Sequence, residues 1–395
     1  MEDRQITTDV FLEDIVDNNV EGKKEKIKVI TPYIIVSAVF ALIALIVYLI
    51  SRSSVSFAEF YSRTVSGWIR TALGTVTGWF PFSLGETLLY SIIPLAVAYF
   101  IFTMKRMKQD ERLYWKCVLP LIAILFNIIS LYVLGFGVCN FRLSLDKNLG
   151  LTREKVTPEE LAMTADLLSI QLNSLIDEIH FIDEDASVMP YDFFELNKKM
   201  NDAFSKYASE QDYISHFYAK PKVVALSELM TYTHISGVYS FFTGEANVNV
   251  NYPDFIIPYT MAHEMSHQRG IAREDEANFV AFLVCMESDD PYIQYSALLN
   301  MQEYVLSALS KADKELYAQK YYTLSKEVRY ELISYSKFFK KYEKNVAAQV
   351  TDKVNDKFLQ ANGQQNGTKS YGMVVDLTVA LYKSIYPSLY DFSNE

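Results

Sequence analysis

Three apolar runs without a charged residue punctuate the first third of the chain: Ile30–Ile50, Thr87–Met104 and Val118–Val138. A helix needs about 20 apolar residues to cross a bilayer, so the pattern predicts membrane spans over about 30–50, 87–104 and 118–138. The first run starts too late, and its apolar core is too long, for a cleaved signal peptide, which makes it a retained anchor. Three such runs so close together also argue against buried helices of a soluble protein.

Beyond residue 138 the pattern turns periodic. Thr157-Pro158-Glu159-Glu160 has the form of a capping box with proline at the first helical position, and it opens an amphipathic helix to about His180. Another helix is predicted over 192–208. Lys222–Leu226 reads as a strand, and 237–250 as strands broken at Gly244, with 246–250 alternating at a period of two. Pro258 and Gly270 bracket a helix of about 258–269. A tight turn at 270–272 then leads to Glu274, Asp275 and Glu276, and three acids together favour a helix start. The apolar run Phe279–Met286 behind them is too short to span a bilayer and reads as a buried helix. Helices over 291–310, 314–342 and 371–386 follow, with a loop at 362–367.

Basic residues orient the spans. Lys23, Lys24, Lys26 and Lys28 precede the first, and Lys105, Arg106, Lys108, Arg112 and Lys116 separate the second from the third. Both clusters are expected in the cytoplasm. This predicts a cytoplasmic segment (1–28), a three-span membrane domain (29–138) and an extracytoplasmic domain (139–395). The 51–86 connection falls outside. Its Trp68, Trp79, Phe80 and Phe82 suggest a segment at the membrane interface or against the outer domain. Residues 1–137 hold 13 basic and 12 acidic side chains, and the remainder 24 and 36. So acidic an outer domain excludes nucleic acid as the expected partner. Cys117, Cys139 and Cys285 form no disulfide framework.

The candidate chemistry lies in His263-Glu264-Met265-Ser266-His267, which contains two of the five histidines. Residues i and i+4 share a helix face, so both imidazoles can reach one metal ion. Zn²⁺ suits two imidazoles and a carboxylate, with a water in the fourth position. Glu264 is placed to take a proton from that water. A helix folded back at Gly270 brings Glu274 beside the histidines as third ligand, with Glu276 as the alternative. The strand at 245–250 precedes this helix. Resemblance to zincin-type peptidases, where a sheet edge lies over the metal and substrate adds to it as a strand, makes Glu245, Asn247 and Asn249 candidate substrate contacts. Tyr371 follows the 362–367 loop, and resemblance to zinc peptidases, where a Tyr or His from this region often helps an oxyanion, makes it a candidate for that part. His180, His216 and His234 read as surface or satisfied residues.

From His263 to Asn278 the chain resembles the gluzincin-type zinc metallopeptidases, in which HExxH is followed by a second helix carrying E-x-x-A-D or a relative of it. Glu274-Asp275-Glu276-Ala277-Asn278 matches, with Asn278 at the Asp position. The resemblance implies His263, His267 and Glu274 as ligands and Glu264 as general base. It gives Asn278 the part of orienting a ligand histidine, though without the charge that raises ligand basicity. The gap between His267 and Glu274 is shorter than in many gluzincins. Over nearly its full length the chain is also similar to an uncharacterised bacterial membrane family with three N-terminal spans, Pro-Phe-Ser-Leu-Gly-Glu before the second (Pro81–Glu86 here), and an outer HExxH domain.

The expected fold is three transmembrane helices followed by a mostly helical α+β zincin-like domain with a small sheet. The expected function is a membrane-anchored zinc metallopeptidase, whose partners are the lipid bilayer and a peptide or protein substrate near the membrane surface. Alternatives are a non-catalytic zinc-containing receptor or scaffold, and a zinc hydrolase of a non-peptide cell-wall amide. An intramembrane protease is disfavoured by the charges around His263.

Overall fold

The computed structural model describes residues 32–107, 113–182, 186–343 and 345–392. The N-terminal lysines that orient the first span lie outside them, as do Lys108 and Arg112. The chain divides into two compact units, one of residues 1–49 and 90–134, the other of residues 50–89 and 135–395.

Among the described residues, three helices are long and apolar enough to cross a membrane: α1 (Pro32–Ser53), and the stretches Leu84–Lys105 of α4 (Leu84–Met107) and Cys117–Gly135 of α5 (Leu113–Gly135). In the first unit they contact one another through polar groups. Asn127 donates to the Ser37 hydroxyl at 3.1 Å, and the Tyr99 hydroxyl donates to the Cys117 carbonyl. Such bonds hold helices together where lipid offers no hydrophobic drive. Apolar side chains such as Ile43, Leu95 and Leu125 stay exposed.

The second unit is mostly helical. Its core is built by α7 (Pro158–Leu175), α8 (Phe193–Glu210), α10 (Ile256–Gln268), α11 (Glu274–Met286), α12 (Pro291–Ala312) and α16 (Val374–Ile385), around side chains such as Leu168, Phe204, Phe279 and Leu298. The capping box forms at α7: the Thr157 hydroxyl accepts from the Glu160 N–H, and the Glu160 carboxylate accepts from the Thr157 N–H. The stretch read as one helix over 314–342 is broken into α13 (Lys314–Tyr321) and α14 (Lys326–Lys340), because Ser325 caps a new start. A further helix, α15 (Val346–Ala361), precedes the 362–367 loop.

The connection at 51–86 belongs to this unit. It forms α2 (Val55–Arg63) and α3 (Val65–Thr77), whose buried polar residues bind distant backbone. Glu59 pairs with Arg142 at 2.9 Å, and Arg142 also donates to the Gly270 and Tyr213 carbonyls. Fully buried Arg70 donates to the Ser62 and Gly135 carbonyls.

A three-stranded sheet completes the unit in the order β1 (Lys222–Val223), β3 (Glu245–Val248), β2 (Gly237–Ser240). β3 lies parallel to β1 and antiparallel to β2, which pairs Tyr239 with Ala246. The Pro81–Glu86 segment clasps this sheet. Glu245 accepts from the Leu84 and Gly85 N–H groups at the start of α4, and Glu86 accepts from the Ala225 and Leu226 N–H groups after β1. A Cβ at Gly85 would meet Ser240 Oγ at 2.8 Å, so only glycine permits this approach.

Candidate metal centre

Every residue of α10 is buried except His263. A helix surrounded by protein holds its side chains in place, and here it holds two imidazoles one turn apart, with ring centroids separated by 4.6 Å. Gly270, with φ of 92°, ends the helix. Its N–H donates to the His267 carbonyl, and the Ile271 N–H donates to that of Ser266, a closure in which left-handed glycine satisfies the last carbonyls. The chain therefore reverses within five residues, and α11 begins at Glu274 against the HExxH face.

The result brings three candidate ligands together. Glu274 Oε2 lies 3.3 Å from Nε2 of His263 and 3.3 Å from Nε2 of His267. The ligand atoms of all three fall within 4.8 Å of one another. Tetrahedral ligands at about 2.0–2.1 Å from a common ion stand about 3.3 Å apart. Glu274 Oε2 is buried and faces the Nε2 atoms of both imidazoles. The donor set fits Zn²⁺.

Electrostatics favour a cation here. Burial alone would raise the Glu274 carboxyl and lower the His267 imidazole. Their mutual attraction, aided for Glu274 by His263, overrides this: it holds Glu274 well below the usual carboxylate range and keeps His267 above its ordinary value. Nδ1 of His267 lies 2.7 Å from the Ile271 carbonyl. A proton on Nδ1 donates to that carbonyl and leaves Nε2 facing Glu274, the arrangement that orients a ligand histidine.

Glu264 lies beside this cluster. It is buried, and Oε2 has no hydrogen-bond partner. Burial raises its carboxyl, His263 and His267 counteract this, and the Tyr239 N–H of β2 donates to it. Gly237 makes room for it: a Cβ there would meet Glu264 Cγ and Oε1 at 2.7 Å. No local signal in the sequence announces that approach.

Other expected residues lie elsewhere. Glu276 accepts from the Leu145 N–H at 2.9 Å and pairs with Arg273 at 2.7 Å, so it faces away from the imidazoles. Asp275, which reads from sequence as a solvated first-turn charge, is buried and pairs with Arg153 at 2.8 Å. Asn278 donates to the Tyr304 hydroxyl at 3.2 Å. It orients neither histidine through Nδ1, since His263 Nδ1 has no partner and His267 Nδ1 is matched by Ile271.

The strand expectation also needs correction. β3 is the middle strand, so it has no free edge; the edge strand beside the site is β2. Glu245 caps α4, Asn247 donates to the Val238 and Glu245 carbonyls, and Asn249 donates to Thr231 and the Ile235 carbonyl. All three are buried and engaged within the protein. Tyr371 falls in the 3₁₀ turn Gly367–Met373, and its side chain lies outside the described residues. Unforeseen was Gln364 of the 362–367 loop, whose Oε1 accepts from the Glu274 N–H at 3.3 Å and so caps the helix that carries the third candidate ligand.

A cavity of about 490 Å³ opens beside the cluster, lined by His263, Glu264, Thr260 and Gly237 at one part of its wall. Asn300, Glu303, Tyr304 and Ser307 of α12 form another part, at the i, i+3, i+4, i+7 spacing of one helix face. Tyr252, Tyr335 and Phe339 add aromatic surface, and α15 adds Thr351, Asp352 and Asn355. Burial pushes the Glu303 carboxyl up to about 7.

Membrane-length helices joined to a largely helical body, with a two-histidine, one-carboxylate cluster beside a cavity, define a membrane-helix protein with a candidate metal centre. The chain belongs to the family described as "Protein of unknown function (DUF3810)", which matches it over residues 61–379. No curated protein and no solved structure matches it.

Proposed function

We propose that this protein is a membrane-anchored, zinc-dependent metallopeptidase that hydrolyses peptide bonds at the outer face of the membrane. The observation that carries this reading is the convergence of His263, His267 and Glu274 on one point, 3.3 Å from histidine nitrogen to carboxylate oxygen, with Glu264, whose Oε2 has no partner among the described residues, beside it on the wall of an open cavity.

When bound there, Zn²⁺ supplies a Lewis acid and a water with its pKa lowered to about 7. With the metal held by His263, His267 and Glu274, Glu264 would accept a proton at Oε2 and return it to the leaving amine. Its buried setting favours this, because a carboxyl raised toward neutral pH both takes and returns a proton efficiently. The Ile271 carbonyl keeps the His267 ring in its orientation. β2, with a neighbour on one side only, offers the edge along which an extended substrate adds.

Protein purified without chelators is expected to carry about one zinc per chain and to hydrolyse peptides, with hydrolysis lost on chelation and regained with Zn²⁺. Metal-free protein from such a preparation would overturn the reading.

The basic residues around the spans support a cytoplasmic N-terminus with residues 139–395 outside. A cysteine introduced at Lys314 of α13 is then expected to react with an impermeant maleimide on intact cells; reaction only after lysis would reverse the orientation.

A further inference from the structure

Half-buried Glu303 differs from the carboxylates buried in the core. Glu331 accepts from Ser187 and Tyr295, Glu160 pairs with Lys383, and Glu276 with Arg273. Glu303 has no hydrogen-bond or ion-pair partner among the described residues, and burial is the one influence on its carboxyl. Removing a carboxylate from water is costly unless something compensates. Here a half-buried carboxylate stands on the wall of a cavity whose lining, among the described residues, includes no lysine or arginine.

The surroundings suit a cation. Tyr304 and Tyr335 lie close enough for the Glu303 charge to raise both phenols. With Tyr252 and Phe339 they form an aromatic wall on the same cavity, and ring faces attract ammonium and guanidinium groups. Asp352 is a third acid of the lining, after Glu264 and Glu303. Glu264 and His263 line the same cavity, which ties this wall to the candidate centre.

We propose that Glu303 and this aromatic wall form a specificity subsite for a positively charged group of the substrate, either a free α-amine or a lysine or arginine side chain. The subsite deepens the peptidase reading and rests on it for the word substrate. Its binding chemistry needs neither metal nor turnover, so the two can fail separately.

The test uses the full chain in detergent, with metal removed by chelation to prevent turnover. Binding is measured for three dye-labelled peptides of one length: one N-acetylated with lysine, one N-acetylated with norleucine in its place, and one with norleucine and a free N-terminus. A charge-assisted contact predicts that one cationic peptide binds about tenfold or more tightly than the neutral one. Which of the two does so identifies the source of the charge. In Glu303→Gln, a neutral isostere that relieves the buried charge and so does not threaten folding, the preference is expected to vanish while the neutral peptide binds as before. Equal or undetectable binding of the cationic peptides to the natural protein, or a preference that survives in Glu303→Gln, overturns the proposal. A charge preference in a protein that never binds zinc would keep the subsite and remove the peptidase reading.

Discussion

Glu264→Gln is expected to lower peptide hydrolysis by about 10²–10⁴-fold, the usual contribution of a general acid–base group, with zinc content unchanged. The substitution keeps the shape of the side chain and the acceptor for the Tyr239 N–H, so the fit against Gly237 survives. It removes only the capacity to take up and return a proton. Because Glu264 is not among the three converging ligands, the metal should remain bound. The readouts are turnover and metal per chain on the same preparation. Retained activity would mean that Glu264 is not the base, and loss of both activity and metal would make it a ligand or a folding residue.

The parts of this centre differed in how far they could be read along the chain. His263 and His267 were legible because i, i+4 proximity is a property of any helix, and Pro258 and Gly270 bounded one. Glu274 was legible at one remove, since Gly270 allows the reversal that returns α11 to the histidines. Contacts across long separations were not legible. Gln364 reaches the Glu274 N–H from 90 positions away, and nothing in the 362–367 loop marks that target. Gly237 reads as an ordinary strand residue, although Glu264 occupies the space its side chain would take. Alternation in 246–250 gave the strand but not its rank in the sheet: a period of two reports which faces are buried, not which edges are free. The sheet is ordered by long-range pairing, and that order places β2 rather than β3 at the edge. The 51–86 segment shows the same limit. Its aromatic residues suggested a segment at the membrane interface or against the outer domain without deciding between them, while the polar residues that fix it, Glu59 and Arg70, gain meaning only from Arg142, Gly135 and other distant partners.

Adjacent carboxylates allow the sharpest separation of ligand from scaffold. Glu274→Ala is expected to remove zinc, and Glu276→Ala to retain it. Loss of groups that only orient a ligand typically costs 10–100-fold in metal affinity, and Glu274 is itself one of the converging ligands, so its loss should cost more. Glu276→Ala should instead act on stability. It strips the acceptor from the buried Leu145 N–H and the partner from Arg273, a penalty of about 1–3 kcal/mol for a donor left unsatisfied. Metal per chain and the midpoint of thermal unfolding should therefore move in opposite patterns for the two variants. The pH dependence follows from the same pair. In the metal-free protein Glu274 keeps His267 protonated above its ordinary range, so zinc must displace that proton and its affinity should rise with pH across neutrality. In Glu274→Ala the acid that retains the proton is gone, and burial then lowers the imidazole, so any residual zinc binding should lose much of this slope. Zinc retained in Glu274→Ala and lost in Glu276→Ala would exchange the two roles and displace the centre from the point where the imidazoles converge.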